Sequence, residues 1–393
     1  MTKPVERTII APIQAGQLTI TIQREELPLE ECLTFATRQN PQRLYLLVSK
    51  VLGKHWPVRP TVMRDIHCRL AAKIADLPGP LLVIGLAETA TALGRGVAEE
   101  AAALTGRDDI LYLQTTRYRL NRLLAFGFDE SHSHAPDHAV YLPDSVLQPL
   151  FRAARSLILV DDEISTGRTL AELAKAYLAI NPDVEQIAFA CITNWLNPAY
   201  CNALTLRLER PLLFPALIEG SFRFEPNALF TPPILPIVIA AADRYHDHLV
   251  ADPARIGLIA GCYRHDDFAN PCSFLEKITG KRAEQPLTII GTGEYTYSPF
   301  RIALALEEAG HDVVFQSTTR SPILVGDAII SRREFADNYG DGIPNYLYNF
   351  DSSRWPIVIY EHPNMLETHA LVNDLTNDLA GSALCGETSC HAS

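Results

Sequence analysis

The feature that most constrains the fold of this chain is a thirteen-residue run, Leu157–Thr169, with the sequence LILVDDEISTGRT. Its four apolar residues, Leu157–Val160, predict a strand buried within a parallel sheet. Two carboxylates, Asp161 and Asp162, stand where that strand ends, and a short polar turn leads from them into a helix. The helix is predicted by apolar residues at helical spacing, which are Leu170, Leu173, Ala174, Tyr177 and Leu178.

A strand, a turn and a helix in this order indicate a particular kind of ligand site. In open α/β sheets, ligands bind at the carboxyl ends of the strands. Free backbone N–H groups at the beginning of a helix bind phosphate. The run therefore predicts a ligand that carries a phosphate together with something for two carboxylates to hold, such as ribose hydroxyls or a hydrated cation.

Other strands and helices alternate around this run and predict the fold class. Buried strands are predicted at Leu81–Gly85, Ile110–Leu113 and Gln186–Thr193, and helices at Val62–Asp76 and from Leu93 to Leu104. This alternation predicts an α/β fold with a parallel sheet flanked by helices. The remaining elements predicted here are a half-buried strand at Leu18–Arg24, a helix at Leu29–Thr37 and edge strands at Leu204–Leu208 and Gly220–Glu225.

A proline-rich stretch, Pro226–Pro236, predicts a domain boundary, because it contains four prolines in eleven residues. We predict a first domain over residues 1–230, a helical bridge over 231–285 that includes a helix at Ile237–Ile256, and a smaller α/β domain over 286–393. Strands at Leu287–Gly291, His311–Gln316 and Trp355–Tyr360 are expected in the second domain. Its helix is expected to begin at an N-cap Ser298, with Pro299 in the first helical position.

Composition excludes several classes of function. The net charge of −12 argues against binding to a nucleic-acid backbone, which requires a basic surface. No apolar run approaches the roughly 18–20 residues that span a membrane, and Met1–Arg7 lacks the apolar core of a signal peptide. The eight cysteines are scattered without a C-x-x-C pair, so we expect reduced thiols and a cytoplasmic protein.

Two polar loops allow alternative interpretations. Lys50, Lys54 and His55 follow an apolar run, and they are either solvated side chains of an exposed loop or contacts for an anion near the site. Glu130, His132 and His134 lie in a long loop before His138. They are candidates for a transition-metal site, for hydrogen bonding and proton transfer, or for plain surface. Loops of this length are usually functional lids or disordered segments.

At Leu157–Thr169 the chain resembles the type I phosphoribosyltransferases. The resemblance implies that Asp161 and Asp162 hold the ribose hydroxyls of 5-phosphoribosyl 1-pyrophosphate, directly or through a hydrated Mg²⁺. It implies that the 5-phosphate is cradled by the turn that follows, Ser165, Thr166, Gly167, Arg168 and Thr169. Glu163 departs from the family pattern, which has an apolar residue there, and its charge is unfavourable near a polyanion unless it points away.

The same resemblance implies a site for the leaving pyrophosphate. The strand Leu81–Gly85 opens into a loop that matches the pyrophosphate loop of these enzymes, Gly85, Leu86, Ala87, Glu88 and Thr89. Their mobile loop closes over the site, and here it would carry Arg117, Arg119 and Arg122 to the pyrophosphate. A homodimer is a candidate assembly, and the partners implied are phosphoribosyl pyrophosphate and a small-molecule acceptor.

A second resemblance rests on Thr319-Arg320-Ser321-Pro322, which is similar to the motif that names the TRSP domain. That domain follows a divergent phosphoribosyltransferase domain in bacterial proteins associated with tellurite-resistance gene clusters. Supporting stretches are Val48–His55, Glu130–Ala135, Gly291–Glu294, Gln316–Pro322 and Asp337–Gly340. Because arginine and hydroxyl groups suit phosphate, Glu294, Thr319, Arg320 and Ser321 are candidates for a second-domain site, the alternative being a hydrogen-bonded turn with an exposed arginine.

Three functions follow as hypotheses. The first is a phosphoribosyltransferase that uses Mg²⁺ and an unknown acceptor, with Asp161, Asp162, Glu130 and His132 as candidate catalytic residues. The second is a protein that senses phosphoribosyl pyrophosphate or a nucleotide without turnover. The third is a metal-dependent hydrolase that uses the histidines from His132 to His138.

Overall fold

A nine-stranded sheet forms the centre of the N-terminal part of the molecule. The computed structural model describes residues 6–128, 138–233, 245–246, 249–250, 252–262, 285–362, 365, 371 and 374–375. The strand order is β1-β2-β12-β10-β9-β5-β6-β13, with β11 beside β10. The strands are β1 (Arg7–Ile13), β2 (Gly16–Glu25), β5 (Leu81–Gly85), β6 (Ile110–Gln114), β9 (Ser156–Ile164), β10 (Gln186–Asn194), β11 (Leu212–Leu213), β12 (Ala216–Pro226) and β13 (Leu258–Ile259).

The five middle strands of this sheet are parallel, and their order contains a reversal. The chain runs from β5 outward to β6, returns to β9 on the other side of β5, and continues to β10 and β12. All side chains of β5 are buried, as expected for a strand that is covered on both faces. The crevice between the carboxyl ends of β5 and β9 is therefore the topological switch point, where ligands of such sheets bind.

Helices cover the sheet, and their apolar faces form its core. Helices α2 and α3 pack against each other, α3 contacts β5 and β6, and α5 contacts β9 and α6. The apolar residues predicted for α5 are largely buried, including Leu170, Leu173 and Tyr177. The helices of this part are α1 (Leu29–Cys32), α2 (Pro60–Ile74), α3 (Thr91–Thr105), α4 (Gln148–Ala153), α5 (Arg168–Leu178) and α6 (Pro198–Leu208).

The structure corrects two of the predicted elements and agrees with a third. The predicted helix Leu29–Thr37 ends after one turn at Cys32, and Leu33–Thr37 is β3, which pairs with β4 (Tyr45–Ser49) in an antiparallel hairpin. Leu204–Leu208 belongs to α6 and is not a strand. Gly220–Glu225 forms the second half of β12, beyond the residues that pair with β10, and among the described strands it pairs with β2 alone, as predicted for an edge. Short apolar runs fit either period, so tertiary pairing decided each case.

A second, smaller unit contains a three-stranded parallel sheet in the order β15-β14-β18. Its strands are β14 (Leu287–Gly291), β15 (Val313–Ser317) and β18 (Trp355–Ile359). Helix α7 (Tyr297–Glu308) joins β14 to β15 and begins before the predicted N-cap Ser298, at the cap residue Thr296. An antiparallel hairpin of β16 (Arg332–Ala336) and β17 (Pro344–Tyr348) lies between β15 and β18 in the chain.

The two units share an apolar core and a connecting segment. Val58, Met63 and Ala92 of the first unit belong to the buried cluster formed around α7 and β14. From the bridge, the described residues include a short 3-10 helix, Pro253–Arg255, and β13, which extends the first sheet by pairing with β6. Most of the helix predicted at Ile237–Ile256 lies outside the described residues. Among those described, no helix has the length and apolar character needed to cross a bilayer.

Candidate active site between the two units

The predicted phosphate turn, Ser165–Thr169, connects β9 to α5 at the switch point. Gly167 is the N-cap of α5 and has a φ of +64°, a conformation that side chains disfavour. A Cβ atom there would lie 2.7 Å from Cδ1 of Leu204, so the position also lacks space. The Arg168 N–H at the start of α5 donates to Oγ1 of Thr166 at 3.4 Å, and Gly167 supplies no side-chain cap. The other N–H groups of the first turn have no partner within the helix, so they are available as backbone donors.

The acidic pair, Asp161 and Asp162, lies within β9 near its carboxyl end, because the strand continues to Ile164 and does not end at Val160 as predicted. The backbone N–H of Asp162 donates to Oδ1 of Asp161 at 2.9 Å. Burial raises the pKa of both carboxyls above the ordinary value of 3.8, and the neighbouring acidic groups raise it further. A ligand that offers hydroxyl donors or a cation stabilises such a pair in its charged form.

Glu163, the departure from the family pattern, pairs with an arginine. Its carboxylate accepts a hydrogen bond from Arg43, which lies in the loop between β3 and β4. The Arg43 guanidinium also lies 4.9 Å from the ring centre of Tyr45. The charge of Glu163 is therefore neutralised by a residue 120 positions away in the sequence.

The loop Leu86–Thr89 follows β5 on the opposite side of the switch point. Leu86 donates from its backbone N–H to Val160 at 3.0 Å, and Ala87 donates to Oγ1 of Thr115 at 2.8 Å. Glu88 is held between two cations, with Oε1 2.9 Å from Nζ of Lys54 and Oε2 3.7 Å from Nε of Arg320. Burial acts to raise the pKa of Glu88, but these cations outweigh it and hold the pKa below its ordinary value.

Thr319, Arg320 and Ser321, predicted as a site of the second domain, line the same cleft as the acidic pair and the phosphate turn. Thr319 is held by two backbone hydrogen bonds to Tyr346, of 3.0 and 2.7 Å. The interdomain cleft has a volume of about 1580 Å³. The predicted site residues that line this cleft are Leu86, Ala87, Glu88, Thr89, Arg117, Asp161, Asp162, Ser165, Thr166, Gly167, Arg168, Thr169, Thr319, Arg320 and Ser321.

Four predicted site residues do not line the cleft. Lys50 donates to the carbonyl of Glu30 at 2.8 Å, away from the loop Leu86–Thr89. Lys54 is buried, and its Nζ lies 2.9 Å from Oε1 of Glu88. Gly85 is the end of β5, where a Cβ atom would meet the Tyr112 hydroxyl at 2.6 Å. The fourth is Glu294.

The Glu294 carboxylate is buried and bound by other residues of the protein. Its carboxylate accepts from the Thr116 hydroxyl at 2.6 Å and from the Arg117 backbone N–H at 2.8 Å, and it also pairs with Arg255 at 3.3 Å. It is 1% exposed. Both oxygens are thus used to join the second unit to the segment that follows β6. Glu130, His132 and His134 lie outside the described residues.

The structure adds cleft residues that the sequence interpretation did not include. Arg38 and Arg43 lie in the loop between β3 and β4. The sequence does not indicate this loop, because it predicts a helix at Leu29–Thr37 where β3 lies. His246 and Asp341 also line the cleft, with His246 Nε2 2.9 Å from Asp341 Oδ1. They are 95 positions apart, so no local pattern connects them.

The donors present suit Mg²⁺ as a hydrated ion rather than a metal held by a full protein cage. Within the described ranges, no group of three or more His, Cys, Asp or Glu side chains is placed to hold a metal. Asp161 and Asp162 supply two hard oxygen donors that form no ion pair within the described part of the chain, since the nearby Arg43 pairs with Glu163. Mg²⁺ keeps several waters and binds through one or two carboxylates with substrate phosphates, so the pair fits this ion.

Comparison with solved structures finds phosphoribosyltransferases. Adenine phosphoribosyltransferase of Trypanosoma brucei, in complex with AMP, pyrophosphate and ribose 5-phosphate, is 13% identical over 50% of this chain and 82% of that chain, with a TM-score of 0.36. The Giardia lamblia enzyme with 9-deazaadenine is 15% identical over 48% and 94%, at 0.35. Orotate phosphoribosyltransferase of Mycobacterium tuberculosis is 12% identical over 47% and 89%, at 0.29.

Family models assign both parts of the chain. No curated protein sequence matches it. Residues 32–221 match the phosphoribosyl transferase family model, and residues 266–377 match the model of the TRSP domain that lies C-terminal to that transferase. The first match contains the acidic pair, the phosphate turn and the loop Leu86–Thr89, and the second contains Arg320. The chain is therefore a phosphoribosyltransferase-like protein with a C-terminal TRSP domain.

Proposed function

We propose that the protein transfers a 5-phosphoribosyl group from phosphoribosyl pyrophosphate to an acceptor, with Mg²⁺. The observation that carries this proposal is the arrangement at the switch point. The acidic pair lies near the carboxyl end of β9, the phosphate turn follows β9, the loop Leu86–Thr89 follows the adjacent β5, and all of them line one cleft. These are the groups needed for the ribose hydroxyls, the 5-phosphate and the leaving group of that substrate.

In the proposed complex, the Ser165–Thr169 turn binds the 5-phosphate through the N–H groups at the start of α5. Asp161 and Asp162 would hold the ribose hydroxyls and, through water, a Mg²⁺ ion, which would supply positive charge for the leaving pyrophosphate. Both carboxyls have raised pKa values in the ligand-free protein. Binding of the hydroxyls therefore favours their ionised form.

Catalysis in this proposal consists mainly of positioning and electrostatic stabilisation. Bond breaking at ribose C1 builds positive charge on the ring and negative charge on pyrophosphate. The Asp161 and Asp162 carboxylates stabilise the ring, and the loop Leu86–Thr89 with Arg117 stabilises the leaving group. The acceptor occupies the remaining cleft beside the β3–β4 loop, where Arg38 and Tyr45 lie.

We place this reaction in the cytoplasm. The cysteines among the described residues, Cys32, Cys68, Cys191, Cys201 and Cys262, are all free thiols, which suits a reducing compartment. A homodimer and a role in a biosynthetic response to tellurite remain part of the proposal, on the strength of the resemblance alone.

The test is release of pyrophosphate from phosphoribosyl pyrophosphate with Mg²⁺ and a panel of candidate acceptor bases. An Asp161→Asn, Asp162→Asn double variant is expected to lose Mg²⁺-dependent binding of phosphoribosyl pyrophosphate by about a hundredfold or more, because it removes two charged acceptors. Asp351→Asn serves as the matched control, because Asp351 is an exposed acid whose carboxylate accepts a hydrogen bond from the Ser353 backbone N–H. Unchanged affinity in the double variant would refute the assigned site. Tight binding with no release for any acceptor would instead establish a ligand-binding sensor.

A further inference from the structure

The Arg320 guanidinium is partly buried in the wall of the cleft, and no residue that the structure describes gives it a hydrogen-bond acceptor. The side chain is 17% exposed, and its nearest carboxylate, Glu88, lies 3.7 Å away, beyond hydrogen-bonding distance. Its other described contact is the face of the Tyr118 ring, 5.5 Å from the ring centre. A partly buried guanidinium that has no acceptor in the protein and lines a cleft is placed to donate to a ligand that supplies acceptors.

The next residue in the chain repeats this pattern. Among the described residues, the buried Ser321 hydroxyl has no hydrogen-bond partner, and Ser321 lines the same cleft. Its backbone N–H donates to Oγ1 of Thr319 at 3.2 Å, which fixes the turn. A guanidinium fork and an adjacent hydroxyl are suitable donors for a phosphate group.

The side chain opposite Arg320 is Glu88, which belongs to the loop Leu86–Thr89. Lys54 reaches Glu88 at 2.9 Å and also donates to the Gly293 carbonyl at 2.9 Å, so it connects the loop Leu86–Thr89 to the second unit. Glu88 therefore has two cations within 4 Å, and Arg117 also acts to lower the pKa of its carboxyl, so cations outnumber this one carboxylate. An anion bound beside this loop adds acceptors for Arg320 without leaving Lys54 unpaired.

Building on the proposed function, we propose that Arg320 and Ser321 of the TRSP domain bind the pyrophosphate of the substrate, so that the second domain completes the leaving-group site of the first. Glu88 holds the Lys54 and Arg320 cations in the ligand-free protein. On binding, Arg320 donates to pyrophosphate oxygens, and Lys54 retains its contact with Glu88. The alternative source of the same chemistry is an acidic group on the acceptor.

The experiment compares binding of two ligands, inorganic pyrophosphate with Mg²⁺ and ribose 5-phosphate, by titration calorimetry on the full chain. Arg320→Gln is expected to weaken pyrophosphate binding about ten- to hundredfold, because charge-assisted hydrogen bonds are lost. Ribose 5-phosphate affinity is expected to stay within about twofold, since the phosphate turn and acidic pair are intact. Ser321→Ala is expected to cost about three- to tenfold for pyrophosphate alone.

Arg332→Gln is the matched control, because Arg332 is another second-unit arginine whose guanidinium lies 5.5 Å from a tyrosine ring centre, and it is not part of the cleft wall. Arg320→Lys retains the charge and covers the case in which the glutamine variant does not fold. It is expected to bind ribose 5-phosphate normally and pyrophosphate about fivefold more weakly, through loss of the bidentate fork.

The outcomes separate this inference from the proposed function. Wild-type protein that binds neither ligand would overturn both. Wild-type protein that binds ribose 5-phosphate but not pyrophosphate would overturn this inference and leave the ribose site standing. Undiminished pyrophosphate binding in Arg320→Gln and Arg320→Lys would also overturn it, and a raised KM for the acceptor in those variants would assign Arg320 to the acceptor.

Discussion

Charged side chains around the cleft fall into two groups. Glu163 is paired with Arg43, and Glu88 is paired with Lys54, so these acids are stabilised before any ligand binds. Asp161 and Asp162 make no ion pair with any described residue, and burial raises the pKa of each although Arg43 acts to lower that of Asp162. Uncompensated charge of this kind is typical of binding sites, where it costs stability in the absence of the ligand.

A stability measurement on Asp162→Asn tests this interpretation. Because the pKa of Asp162 is raised in the folded protein, its protonation favours folding, and this contribution is lost as the pH rises from about 4 towards neutrality. The asparagine variant avoids burying the charge, so at pH 7.5 it is expected to be more stable than wild type by about 1 kcal/mol. The difference is expected to shrink at pH 4.5.

Denaturant unfolding at the two pH values provides the measurement. Asp351→Asn is the control, since its carboxyl has a pKa lowered by hydrogen bonds from Ser353, the opposite direction. It should give no stabilisation at pH 7.5. An Asp162→Asn variant that is no more stable than wild type at pH 7.5 would contradict the assigned cost.

At the scale of elements, the βα units at the switch point follow from local pattern, whereas the hairpin beside them does not. Strands β5 and β9 and helices α3 and α5 all lie where apolar periodicity predicts them. The sequence wrongly predicts a helix over β3, because the short run from Leu29 to Thr37 fits the hydrophobic period of a helix as well as that of a strand. Its pairing partner, which lies beyond a seven-residue loop, decided the conformation.

The phosphate turn offers a prediction at this scale. Gly167→Ala combines a left-handed backbone conformation, φ of +64°, with a Cβ atom 2.7 Å from the Leu204 side chain. The backbone term costs about 1–2 kcal/mol, and displacement of Leu204 adds to it. We expect greater loss of stability than in Gly106→Ala and a roughly tenfold loss of ribose 5-phosphate affinity, because the turn shifts.

Gly106→Ala isolates the backbone term. Gly106 follows α3 with a φ of +71°, and a Cβ atom there would have nothing within 4 Å. It is expected to lose about 1 kcal/mol and to bind ribose 5-phosphate as wild type does. Equal behaviour of the two alanine variants in unfolding and calorimetric titrations would show that Leu204 does not constrain the turn.

At the scale of the whole molecule, the two parallel sheets approach one another near the ends where their strands finish. The Thr116 hydroxyl donates to Glu294, Lys54 donates to Gly293, and the Tyr118 and Tyr339 rings lie 4.3 Å apart. Arg255 of the connecting segment is buried between Glu294, at 3.3 Å, and Glu361, at 2.6 Å. One guanidinium thus joins the bridge to two strand ends of the second sheet.

Replacement of Arg255 therefore tests how the units are held together. Arg255→Gln leaves two carboxylates in a buried site without their cation, and burial already raises the pKa of Glu361 to about 7. Removing one partner from a buried ion pair costs about 3–5 kcal/mol. Differential scanning calorimetry is expected to show a lower unfolding temperature, with the second unit unfolding before the first.

Arg354→Gln is the matched control for that experiment. Arg354 pairs with Asp312, whose carboxylate is about half exposed, at 3.1 Å. Such a pair contributes about 1 kcal/mol or less. If Arg255→Gln unfolded at the same temperature as Arg354→Gln, the buried arginine would not be holding the bridge to the second sheet.

The sequence by itself determined the parallel βα units, the acidic pair with its phosphate turn, and the order of the two domains. These features depend on residues that are neighbours in the chain, where periodicity and turn chemistry decide conformation. Tertiary structure alone decided that Arg320 faces Glu88, that Arg43 neutralises Glu163, and that the buried Glu294 carboxylate accepts from Thr116. Those contacts join residues far apart in the chain, such as Thr116 and Glu294 at a separation of 178, so only the packing of the units brings their charges together.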